Sequence, residues 1–174
     1  EILFEVGLIV KDFSIIDVAW GLSFFLIFSA SYISSGSELS LRMLVIGTFV
    51  GVWSLRLSGY ILYRSIKKGK EDFRYAAWRE EWGKKANQIA YVRVYMLQMI
   101  LALVIASPLV LIFYFQDNKP FGNFLDILGV SFWIIGFLFE AIGDYQKNSF
   151  KSVKGNQNKF CNIEYNNPHQ STLY

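Results

Sequence analysis

VYMLQMILALVIASPLVLIFYFQ, residues 94–116, runs for 23 residues without a charged side chain. A helix rises about 1.5 Å per residue and the hydrocarbon core of a bilayer is about 30 Å thick. The stretch is therefore long enough to cross a membrane as one helix. Val18 to Ser37, charge-free over 20 residues, meets the same test. Segments 41–63 and 124–146 reach that length only by taking in charged residues. The pattern predicts four spans, at about 13–33, 41–63, 91–115 and 124–146. The expected fold is all-α: a multi-pass transmembrane helical bundle. The opening EILFEVGLIV is too short to cross and reads as a partial span whose beginning is missing. Residues 1–160 are expected to form a single integral membrane domain, and 161–174 an irregular tail.

Composition agrees with this reading. Of 174 residues, 53% are hydrophobic and 18% aromatic, against about 45–50% apolar in a soluble domain. One cysteine and one histidine exclude a disulfide framework and a Cys/His zinc site, so no metal is expected. Cys161 reads as a spectator thiol. No secretory signal with a small-residue cleavage site is evident. Neither GxGxxG nor GxxxxGK[ST] occurs, and no serine-nucleophile signature occurs, so a soluble-type Rossmann or P-loop site is unsupported.

Charge placement sets the topology. The connections at 34–40 (SSGSELS) and 117–123 (DNKPFGN) are nearly free of positive charge, whereas residues 64–93 hold nine of the 17 Lys and Arg. Lys147, Lys151, Lys154 and Lys159 follow the last span, and Lys11 precedes the second segment. Alternating crossings put all of these basic regions on one side. The positive-inside rule makes that side cytoplasmic, with the 64–90 loop and the C-terminal tail on it. The membrane is the inner membrane if the chain is bacterial and the endoplasmic reticulum if it is eukaryotic. The loop RSIKKGKEDFRYAAWREEWGKK interleaves cations with aromatic residues. A membrane-proximal amphipathic helix explains this better than nucleic-acid binding. The expected partner is the lipid bilayer, and an anionic cofactor at the membrane face also suits the loop.

Ionisable residues inside spans mark sites or pathways. Here they are Asp17, Arg56, Glu140 and Asp144. Trp53, Arg56, Tyr60 and Arg64 recur at steps of three and four and share one helical face. Glu140, Asp144, Lys147 and Lys151 form a second such stripe. Two readings stay open from the residues alone: a functional polar cavity, or ion pairing of Arg56 with Glu140 or Asp144 that only holds helices in register. Interhelical polar contacts contribute about 0.6–2 kcal/mol, so one pair would suffice for the second reading. Gly47, Gly51 and Gly59 would let helices approach closely, within one chain or in a homo-oligomer.

The blocks IIDVAWGLSF, WSLRLSGYILYRSIKKGKEDFRYAAWREEWG and FLFEAIGDYQKNSFK, spread over about 14–155, resemble the uncharacterised bacterial branch of the steroid 5-alpha-reductase-like membrane proteins. The resemblance implies a membrane enzyme that uses NADPH to reduce a carbon–carbon double bond conjugated to a carbonyl, in a hydrophobic, lipid-like small molecule. It implies catalytic roles for Asp17, Trp53 and Arg56. Cofactor contacts are implied for Arg56, Tyr60, Arg64, Glu140, Asp144, Lys147 and Lys151. Members of the family continue with a motif like GLWRYSRHPNYFGE, where this chain reads NKFCNIEYNNPHQSTLY. The expectation is thus of a truncated member. Two alternatives remain: a relative of the isoprenylcysteine-type membrane methyltransferases, and a non-catalytic helical membrane protein.

Overall fold

The computed structural model describes residues 2–115 and 120–153, which fall into two compact units, one ending at Phe121 and one starting at Gly122. Lys154, Lys159, Cys161 and the expected tail at 161–174 lie outside the described residues. In the first unit α1 (Ile2–Val10), α2 (Ile15–Ser35), α3 (Leu41–Lys68) and α4 (Phe73–Trp82) are followed by a 3-10 turn, Gly83–Lys85. Then come α5 (Ala86–Ala90), a π-helical stretch, Tyr91–Met96, and α6 (Leu97–Leu111). The second unit contains α7 (Phe124–Ser152). All regular structure among the described residues is helical.

Four helical stretches are long and apolar enough to cross a membrane: α2, α3, Phe73–Leu111 and α7. They coincide with the four spans that the sequence predicts and make this an integral membrane protein. The difference lies at 64–90. α3 runs on to Lys68, and most of the remaining connection is helix joined to the third span.

Local chemistry sets the helix ends. Ser40 caps α3, its hydroxyl accepting from the Met43 amide at 3.2 Å, which satisfies a donor that the first turn leaves free. Gly36 and Gly69 end α2 and α3 with φ near +60°, a conformation costly for a residue with a Cβ. Asn123 and Asp126 form a reciprocal capping box at the start of α7.

α2 packs along α3 and against α6. A Cβ at Gly47 would stand 2.7 Å from the Phe28 ring, and one at Gly51 would stand 3.3 Å from the Phe25 ring. These two glycines therefore serve close approach within the chain. At Gly59 a Cβ would meet only open space. Two apolar clusters pin the unit. Phe28, Met43 and Phe113 form one, extended by Tyr32, Ile46 and Leu109. Phe13, Ile16, Tyr75, Ala90, Val94 and Tyr95 form the other, at the start of α2. Large apolar side chains such as Leu26, Leu55, Ile105 and Phe139 face outward, which costs nothing against lipid tails.

The second cluster depends on two backbone details. An α-helix would turn Val94 and Tyr95 about 100° apart; along the wider π stretch both are buried. The Tyr95 hydroxyl then occupies the space that a Cβ on Gly7 would fill. α1 ends in a Schellman arrangement: the Lys11 amide bonds the Leu8 carbonyl and the Asp12 amide bonds that of Gly7. The residue forced left-handed there is Lys11, at φ 57°, where glycine is the usual choice.

Candidate functional site between a charged cleft and an apolar cavity

Asp17 stands in the first turn of α2, where the helix dipole favours a carboxylate. Its partners come from α4, more than 50 residues on. Asp72 is the N-cap of α4 and accepts from the Arg74 amide at 3.2 Å. That cap fixes the first turn and aims two side chains at α2. The Tyr75 hydroxyl donates to Asp17 Oδ1 at 2.6 Å, and Arg74 Nη2 donates to Asp17 Oδ2 at 3.1 Å. Arg74 Nε also donates to Asp72 Oδ1 at 3.0 Å, so one guanidinium bridges two carboxylates. On α6, Gln98 Nε2 donates to the Tyr75 hydroxyl at 3.4 Å. The result is a polar chain, Gln98–Tyr75–Asp17–Arg74, whose Tyr75 is 2% exposed.

The chain connects two unlike spaces. Asp17 lines a narrow cleft of about 20 Å³ with Arg64, Ser65, Lys68, Lys70 and Asp72. Gln98 lines an open apolar groove of about 300 Å³ with Ile16, Trp20, Leu26, Met99 and Leu103. Ser23 also faces that groove, but its hydroxyl donates to the Trp20 carbonyl at 2.6 Å. That space is thus almost wholly apolar.

A second set of contacts closes the α1–α2 junction. Glu71 Oε1 accepts from the Phe13 amide at 2.7 Å. Arg79 holds the same carboxylate in a fork, at 2.8 Å and 3.2 Å. Its guanidinium lies 3.9 Å from the Phe13 ring centroid and reaches the Lys11 carbonyl at 3.4 Å. Planar, bidentate pairing over an aromatic face is a task for arginine and not for lysine. Burial pushes the Asp72 carboxyl up, but hydrogen bonds from Arg74 and the charges of Lys68 and Arg74 outweigh it. The group sits below the usual carboxylate range.

Of the residues predicted from sequence, Asp17 and Arg64 line one cleft. Trp53 sits edge-on to Phe24 at 5.4 Å and to Trp20 at 6.5 Å, and Trp20 lines the apolar cavity. Arg56 and Tyr60 are half-buried on the same α3 stripe. On α7, in the second unit, Glu140 and Asp144 are half-buried while Lys147 and Lys151 are exposed.

Sequence reasoning missed Arg74, Tyr75, Asp72 and Gln98. Asp72 just before the helix-compatible FRYAAW is a start signal. Gln98 interrupts an apolar run with an amide, which is a polar signal inside a span. Nothing local marks Tyr75.

The family model described as a protein of unknown function, DUF1295, matches residues 3–164. Comparisons with curated proteins and with solved structures returned no match. The matched region takes in every described helix but the first residue of α1, and the chain belongs to the DUF1295 family.

Proposed function

We propose that this chain is a membrane-embedded, NADPH-dependent reductase of a carbon–carbon double bond conjugated to a carbonyl in a lipid-like substrate. The resemblance to steroid 5-alpha-reductase-like proteins suggests the reaction. The observation that carries the reading is the polar chain from Gln98 to Arg74, running between an apolar cavity and a basic cleft. Such a reaction joins a water-insoluble substrate to a charged dinucleotide, so it needs unlike compartments in contact.

The residues present fit that cofactor: Arg64, Lys68 and Lys70 offer cationic donors for phosphate. When bound, NADPH supplies a hydride for the carbon beta to the carbonyl. The protein's part is to hold the substrate and stabilise the negative charge that develops on the carbonyl oxygen. An amide nitrogen carries two N–H donors. Gln98 directs one to Tyr75, and the other is free in our reading for a carbonyl oxygen in the apolar cavity. Asp17 accepts a short hydrogen bond from the Tyr75 hydroxyl and thereby fixes the tyrosine that orients Gln98. Trp53 and Arg56 are proposed to line the reaction centre, Arg56 with Tyr60 and Arg64 also contacting the cofactor. The basic connection lies on the cytoplasmic side in this reading, where the dinucleotide is found.

The test is NADPH titration of the purified protein in nanodiscs, followed by NADPH oxidation with an apolar enone. Binding and enone-dependent oxidation are expected. Arg56→Ala weakens binding, while Asp17→Asn lowers turnover about tenfold or more at unchanged NADPH affinity. Binding of S-adenosylmethionine without NADPH would replace the reading with a methyltransferase. Binding of neither would leave a non-catalytic protein.

A further inference from the structure

Helix α4 hangs between two left-handed glycines. Gly69, which ends α3, has φ +62°, and Gly83, which ends α4, has φ +51°. A Cβ at either would meet open space, so glycine serves the backbone conformation there and not close packing. The outward residues of α4, Ala76, Ala77, Glu80 and Glu81, are exposed. Inward, α4 sets the buried Tyr75 and the half-buried Trp82 on the cluster of Phe13, Ala90, Val94 and Tyr95. Its other ties to the bundle are polar. Arg74 and Tyr75 both end on Asp17, Arg79 reaches the Phe13 ring and the Lys11 carbonyl, and Glu71, in the strap before α4, holds the Phe13 amide. The Arg74 side chain is 48% exposed and that of Arg79 32%, so water competes for both guanidinium groups.

We infer that α4 is a hinged lid, which lifts as a unit about Gly69 and Gly83 and so makes or breaks the polar chain. Segments with few apolar contacts and water-exposed polar ties open at lower free energy than the rest of a fold. Hinges are a few positions at element ends that absorb a change in φ and ψ, and glycine does so at little steric cost. Tyr75 rides on α4, whereas Asp17 belongs to α2 and Gln98 to α6. Lifting α4 therefore removes the central link and leaves Asp17 and Gln98 unconnected. With α4 down, Val94 is 3% exposed; with α4 up, it faces water. This motion is independent of the reductase reading: whichever reaction uses the chain waits for α4 to close.

The experiment puts a single thiol under the lid. Val94→Cys, in a Cys161→Ser background, is treated in nanodiscs with a charged, water-soluble thiol reagent. Met43→Cys, at a buried position in the other cluster, is the control. With no further change both thiols label slowly. Arg74→Gln together with Tyr75→Phe removes both bonds to Asp17 and keeps the ring in its cluster. Position 94 then labels at least about tenfold faster, and position 43 does not change. Gly69→Ala acts in the same direction, about fivefold or more, because alanine disfavours the left-handed backbone of the closed lid. Equal acceleration at both positions means global loosening and overturns the lid. So does a rate at position 94 that neither change moves, or one that is already fast without them. Ala90→Cys, at a fully buried position of the same cluster, repeats the measurement if Val94→Cys does not fold.

Discussion

Replacing Glu71 tests how the N-terminal junction is held. Its carboxylate accepts from the Phe13 amide at 2.7 Å and pairs in a fork with Arg79. Glu71→Ala removes both at once. A hydrogen bond to a charged acceptor contributes about 1.5–3 kcal/mol, and here the donor left behind is the amide of a fully buried residue. The ion pair adds less, about 1 kcal/mol at most, because the arginine side chain is 32% exposed. The expected cost is about 2–4 kcal/mol in all. Glu71→Gln keeps an oxygen for the Phe13 amide and loses only the charge, so it costs about 1 kcal/mol. Hydrogen exchange over residues 11–16 reads the local opening directly. A change of about 2 kcal/mol corresponds to roughly 30-fold faster exchange. Unfolding in bicelles measures the global effect. If alanine exchanges like wild type, or if glutamine is as damaging as alanine, the amide bond is not what closes the junction.

Two further outcomes follow from the same region. Lys11→Gly relieves a left-handed residue at a cost of about 1–2 kcal/mol and gives back about 0.5–1 in chain entropy, so it stabilises by about 0.5–1 kcal/mol. Thermal unfolding checks this, and the Arg79 bond to the residue-11 carbonyl remains. Asp72 has a carboxyl held below its ordinary value of 3.8. Its stabilising contribution is complete above that value and is lost as pH falls through the lower folded-state value. Unfolding measured from neutral to acid pH should show a loss that is smaller in Asp72→Asn.

Much of the fold was legible because lipid imposes a length and forbids unpaired charge. The runs at 18–37 and 94–116 could hardly be anything but spans. The Gly47 and Gly51 signal was also local, since a missing side chain means room for a neighbour. The 64–90 connection was harder. Its charges and aromatic rings suit a surface helix equally well, and nothing in the pattern says that Tyr75 turns inward while Trp78 does not. Asp17 stood out as an acid in an apolar run. Its partners did not, because they are set by packing between segments 57 and 58 residues apart. Gln98 carries no charge, so it stands out less in an apolar run than Asp17 does, although an amide in a span also needs a partner.

The distance along the chain from Asp17 to Arg74 also fixes an order of events at the ribosome. Fifty-seven residues separate them, roughly 3–11 s of synthesis at about 5–20 residues per second. By the end of that interval Gly47 and Gly51 have been made, and α3 can pair with α2 through them and the rings that cover them. Asp17 meanwhile lacks Arg74 and Tyr75, and Glu71, whose carboxylate clasps the Phe13 amide, is made only three residues before Arg74. The α1–α2 corner is therefore a late-setting joint, closed only when α4 arrives to hold it.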